Sequence, residues 1–131
     1  MDAATQHAIT EAADASREGR IDFAAVVRML VEAGVESYHV DYRAGRTTYY
    51  THDDDSTTLD LGPPGATIAQ SFDAAALQAA IRGAQRGIVK YPEFTRLSQA
   101  AGCVSYTVWL GGRHVAYHGR NGETHVERFP D

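Results

Sequence analysis

Three histidines and a glutamate near the end of the sequence are the residues whose chemistry and spacing point to a site. They are His114, His118, His125 and Glu127. An imidazole beside a carboxylate can exchange protons as an acid–base pair, and the same groups can coordinate zinc or iron. Whether they act together depends on the strands that carry them and on the faces to which they point.

Two turn signals predict how those strands pair. Gly111-Gly112 and Asn121-Gly122 are typical two-residue hairpin loops. The second loop places His118 opposite His125, with Cβ atoms roughly 5 Å apart. Because side chains alternate between the two faces of a strand, the register predicts one polar face. It carries Ser105, Thr107, Trp109, His114, His118, His125 and Glu127, opposite a core face with Val104, Tyr106, Val108, Val115, Tyr117 and Val126.

This arrangement gives three candidate catalytic residues, His118, His125 and Glu127. The candidate ligand-binding residues are His114, Trp109, Tyr38 and Tyr106. Polar residues also suit a solvated strand face, so a surface without a site, a metal site and acid–base catalysis stay open as alternatives. No metal ligand set and no cofactor is predicted. Gly111-Gly112 and Gly62-x-x-Gly65 are not phosphate loops, because neither has the strand–loop–helix context and the lysine of such a loop.

The two halves of the chain resemble each other at an offset of 68 residues. AGVESYHV at 33–40 corresponds to AGCVSYTV at 101–108. At this offset Tyr38 matches Tyr106 and Tyr49 matches Tyr117. Such similarity is typical of one supersecondary unit used twice. We therefore predict a single domain over 1–131, with a first repeat at 5–61, a linker at 62–72 and a second repeat at 73–129.

Each predicted repeat reads helix, helix, strand, strand, strand. Asp22 is a suitable N-cap, Pro92 suits a first helical turn, and glycines end the helices. The predicted helices cover 4–18, 23–33, 73–86 and 92–101, and the predicted strands cover 35–42, 47–51, 57–61, 103–110, 113–118 and 123–129. The fold class is α+β, with antiparallel meanders and helices packed on one sheet face.

Composition narrows the function classes. The net charge of −5 argues against a nucleic-acid partner. A single cysteine, Cys103, excludes an intramolecular disulfide and favours a reducing compartment; it matches Val35 at the repeat offset, which predicts a buried apolar role. No leader and no apolar run of about 20 residues is found. We expect a soluble, cytoplasmic protein without a membrane partner.

Several segments resemble the YbcV-like family of small bacterial and prophage proteins. They are Tyr91-Pro92-Glu93-Phe94, residues 101–106, residues 34–41 and above all residues 117–130. The resemblance covers about residues 20–130. It implies a domain of unknown function, loosely labelled a phage envelope protein, and supplies no catalytic residue.

The predicted function is binding of a small molecule or a protein partner, on the polar sheet face or in the crevice between the repeats, since pockets favour such interfaces. The alternatives are a small metal-independent enzyme with His/Glu acid–base groups, a metal-binding protein, and a phage-derived scaffold that forms homo-oligomers.

Overall fold

A computed structural model describes residues 1–62 and 66–130. Every predicted helix and strand is present, with ends that differ by a few residues at most. The elements are α1 (Ala3–Arg17), α2 (Phe23–Glu32), β1 (Val35–Asp41), β2 (Arg46–Thr51), β3 (Ser56–Asp60), α3 (Ala74–Gln85), α4 (Tyr91–Ala100), β4 (Cys103–Trp109), β5 (His114–Gly119) and β6 (Thr124–Arg128). Residues 63–65 of the predicted linker lie outside the described residues.

Aspartates begin three of the helices. The side chains of Asp2, Asp22 and Asp73 accept hydrogen bonds from the backbone N–H groups at the third position after each, which pairs donors that a helix start leaves free. The helix α4 has no side-chain cap and carries Pro92 in its first turn instead. These local signals explain why the helix starts are predictable from sequence.

The six strands form one antiparallel sheet in the order β3-β2-β1-β4-β5-β6. The strands β1 and β4 meet at the centre, where Tyr38 pairs with Val108 and Val40 with Tyr106. The pairing is symmetric about His39 and Thr107, because Tyr106 and Val108 are the residues 68 positions after Tyr38 and Val40. At this midpoint His39 Nδ1 lies 2.7 Å from Thr107 Oγ1. The sheet thus unites the two halves of the chain.

The two halves also share their unusual backbone conformations. Residues with positive φ occur in four pairs at the offset of 68: Gly19 and Gly87, Gly34 and Gly102, Gly45 and Arg113, and Asp54 and Gly122. The α1-α2-β1-β2-β3 order recurs as α3-α4-β4-β5-β6. Common origin of the halves, and the repeat bounds 5–61 and 73–129, stay an interpretation of these observations.

All four helices cover one face of the sheet, and the core lies between them. Its largest fully buried side chains include Ile9, Leu30, Leu77, Val40 and Val108. The predicted core residues Tyr106, Val115, Tyr117 and Phe94 are also buried. The other sheet face has no covering layer in the described part of the chain. No helix within residues 1–62 and 66–130 combines the length and the apolar character needed to cross a bilayer.

Candidate functional site

The register of the C-terminal strands decides which candidate residues meet. The β4–β5 hairpin pairs as predicted, with Trp109 opposite His114 and Ser105 opposite His118. The β5–β6 hairpin does not: His118 pairs with Thr124, and Tyr117 pairs with His125. The predicted His118–His125 pair is therefore wrong by one residue.

The cause is a three-residue loop where a two-residue loop was predicted. Gly119 N–H donates to the Glu123 carbonyl over 3.0 Å, so these residues close the hairpin around residues 120–122. Gly122 takes φ +81°, as expected of the last residue in a three-residue loop. Glu123 Oε1 also accepts from the Asn121 N–H at 2.9 Å. A one-residue change moves every side chain of β6 to the opposite face.

The predicted polar face is consequently split between the two sides of the sheet. His114, His118 and Trp109 lie on the uncovered face, where Val126, predicted for the core, is 55% exposed. There His118 Nδ1 lies 3.2 Å from Thr124 Oγ1. His125 and Glu127 lie on the helix-covered face, in register with Tyr117 and Val115. The grouping of His118, His125 and Glu127 is wrong, although the role of each residue is untested.

The metal alternative depended on that grouping. Within the ranges 1–62 and 66–130, no three His, Cys, Asp or Glu side chains are arranged to hold a metal ion. Cys103 is fully buried, as predicted, and burial raises the pKa of its thiol to about 12. A thiol with such a pKa is not a nucleophile near neutral pH.

On the helix-covered face, the Glu127 carboxylate lies between His125 and Arg82. Its Oε2 lies 3.0 Å from His125 Nε2, and its Oε1 accepts from Arg82 Nε at 2.9 Å. The Glu127 side chain is only 11% exposed. Burial acts to raise the pKa of the Glu127 carboxyl, but the hydrogen bonds from His125 and Arg82 outweigh burial and lower the pKa. Glu127 is therefore an ionised carboxylate at neutral pH.

A cavity of about 100 Å³ lies between the helices and the sheet, and Glu127 forms part of its wall. Residues of both halves of the chain line it. Its aromatic lining consists of Phe23, Phe94, Phe129, Tyr38, Tyr49, Tyr91, Tyr106 and Tyr117. Arg17 and Asp60 also line it and are exposed, which places its opening near the ends of α1 and β3.

Three of the five tyrosine hydroxyls at this cavity differ from that of Tyr42 elsewhere in the core. Tyr42 Oη lies 2.7 Å from Ser98 Oγ. Among the described residues, no hydrogen-bond partner is found for the hydroxyls of Tyr38, Tyr49 or Tyr117, although the three residues are buried. Burial raises the pKa of each hydroxyl, so all three stay protonated. Among the described residues, the enclosed side-chain oxygens without a partner are Thr95 Oγ1 and Gln99 Oε1. The three tyrosine hydroxyls are not among them, so each keeps accessible surface and is available to a molecule in the cavity that these residues line.

Of the predicted ligand-binding residues, the structure thus brings Tyr38 and Tyr106 together in the cavity wall and leaves His114 and Trp109 on the far side of the sheet. Sequence reasoning missed Arg82, because nothing local indicates that α3 reaches β6. The first half of the chain has the same loop type at the repeat-equivalent turn: Thr51 N–H donates to the Asp55 carbonyl oxygen at 3.0 Å and encloses residues 52–54.

Fold and site define a two-layer α+β domain with an aromatic cavity between its layers. A family model described as a protein of unknown function, DUF1398, matches residues 11–127, and the chain belongs to this family. It is similar to the uncharacterized protein Mb2035 of Mycobacterium bovis and to the uncharacterized protein Rv2012 of Mycobacterium tuberculosis, each 31% identical over 110 residues. The matched region covers 82% of this chain and 66% of each relative, just under two thirds of the relatives' length.

Proposed function

We propose that this chain binds a small, mainly apolar molecule in the cavity between its helices and its sheet. One observation carries the proposal: Tyr38, Tyr49 and Tyr117 line the cavity, and their hydroxyls have no hydrogen-bond partner among the described residues. Ligand sites combine an apolar wall with a few polar groups that fix orientation. Aromatic rings supply the wall here, and tyrosine hydroxyls with Glu127 supply the polar groups.

The cavity volume limits the size of the ligand. At about 100 Å³ it is smaller than the roughly 150 Å³ engineered cavity that admits benzene. The enclosed part of the ligand is therefore no larger than about one ring, and any longer substituent extends towards Arg17 and Asp60. For so small a ligand we expect a dissociation constant on the order of 1 mM, or about 4 kcal/mol.

Benzyl alcohol is a suitable probe, because it has one ring and one hydroxyl. We expect saturable binding to the wild type by ligand-observed NMR. Ala84→Leu narrows the cavity that Ala84 lines and should weaken binding at least fivefold. Ala79→Leu makes the same change at an exposed position of α3 outside the cavity lining and should bind like the wild type. No saturable binding, or equal weakening in both variants, would overturn the proposal.

The other hypotheses from the sequence concern catalysis, kinship, cellular location and oligomeric assembly. A role as an enzyme would use the His125–Glu127 pair at 3.0 Å, now without His118. Kinship with YbcV-like phage proteins, a cytoplasmic location and an oligomeric scaffold stay hypotheses, and binding in the cavity requires none of them.

A further inference from the structure

The cavity wall carries an excess of negative charge. Its lining includes three carboxylate residues, Asp22, Asp60 and Glu127, and one guanidinium, Arg17, which gives a formal charge of −2. Asp60 is exposed near the opening, and Asp22 already accepts from the Ala25 N–H at 3.0 Å. Glu127 is the lining carboxylate on the helix-covered face of the sheet, and its side chain is 11% exposed.

The partners of Glu127 leave it free to accept further hydrogen bonds. A carboxylate has about four lone-pair sites, and His125 and Arg82 together occupy two of them. Neither His125 nor Arg82 is among the residues that line the cavity, and the Arg82 side chain is 50% exposed. Of these three residues, Glu127 alone lines the cavity.

The aromatic walls favour the same sign of ligand charge. Ring faces carry partial negative charge, and a cation close to a ring face gains about 2 kcal/mol or more where water is excluded. Five tyrosines and three phenylalanines line this cavity. A carboxylate ligand would meet Glu127 and the ring faces, both of which repel it.

We propose that the ligand is a small organic cation, a protonated amine or quaternary ammonium group on an apolar body of about one ring. This inference rests on the proposed function, because it assigns the charge of the molecule that the cavity binds. The cationic group lies at Glu127, and the apolar body lies among the tyrosine rings.

Three probes with one ring each test the charge: benzylamine, benzyl alcohol and benzoate. Near pH 7 they are cationic, neutral and anionic. We expect benzylamine to bind the wild type at least fivefold more tightly than benzyl alcohol, with no saturable binding of benzoate. This ranking needs no variant, so it holds as a test even if a substitution unfolds the protein.

Glu127→Gln should reduce benzylamine binding to the level of benzyl alcohol. Glu93→Gln, at an exposed position of α4 outside the cavity lining, removes the same overall charge and should leave both affinities unchanged. If benzyl alcohol binds at least as well as benzylamine, or if both variants weaken benzylamine equally, the cation inference is wrong while the proposed function stands. If neither probe binds, both are wrong.

Discussion

Replacing single tyrosines by phenylalanine separates hydroxyls that stabilise the fold from hydroxyls that are available to a ligand. Tyr42 Oη lies 2.7 Å from Ser98 Oγ, and Ser98 Oγ donates to the Thr95 carbonyl oxygen at 3.1 Å. Because that carbonyl can only accept, Ser98 uses its proton there, and Tyr42 must donate to Ser98. The hydroxyls of Tyr38 and Tyr117 make no such bond among the described residues.

The expected magnitudes follow from this difference. Tyr42→Phe removes one buried hydrogen bond, which costs about 1 kcal/mol of unfolding free energy and lowers the Tm of a domain of this size by about 3–6 °C. Tyr38→Phe and Tyr117→Phe keep the ring and remove only an unpartnered hydroxyl. We therefore expect changes within about 0.5 kcal/mol of the wild type, or a gain in stability.

Guanidinium unfolding followed by far-ultraviolet circular dichroism measures these differences, and equal m-values would show that the comparison is sound. Both Tyr38→Phe and Tyr117→Phe should unfold at or above the wild-type midpoint, and Tyr42→Phe below it. A loss in Tyr38→Phe as large as that in Tyr42→Phe would refute the reasoning, because it would mean that the Tyr38 hydroxyl already stabilises the fold.

Two further predictions concern the backbone and pH. Gly34 and Gly102 share φ +87°, so alanine at either should cost about 1 kcal/mol of unfolding free energy. At Gly102 an added Cβ would also lie 2.3 Å from the Ser71 carbonyl oxygen. At Gly34 the added Cβ would have no described atom within 4 Å apart from those of its chain neighbours. Urea melts should therefore show at least about 1 kcal/mol more loss in Gly102→Ala than in Gly34→Ala, and equal losses would mean that the Ser71 segment moves aside easily. The pKa of Glu127 lies below its ordinary 4.5 in the folded state, so its stabilisation is present above that pH and is lost as pH falls through the lower value. Glu127→Gln should be about 1–3 kcal/mol less stable than the wild type near pH 6, with a gap that narrows towards pH 3; a gap that is constant with pH would contradict an ionic role.

The sequence by itself determines the local structure of this protein. Aspartate caps, terminal glycines and the alternation of apolar residues define four helices and six strands, because these signals act within a few residues of one another. The Gly111-Gly112 turn gives the correct pairing of β4 with β5, so Tyr106 and Tyr117 are placed in the core correctly. The similarity of the two halves likewise predicts the recurring order of elements.

Tertiary structure decides the features on which function depends. The length of the loop around Asn121-Gly122 decides which side of the sheet receives both His125 and Glu127. The three-residue loop turns Glu127 to the helix-covered face, where it meets Arg82 of α3, a residue 45 positions away in the sequence. The cavity is a property of neither half alone, because its wall joins side chains from both halves across the β1–β4 seam. Local sequence specifies the strands and most of their facing residues, whereas the site depends on a one-residue register and on packing between distant segments.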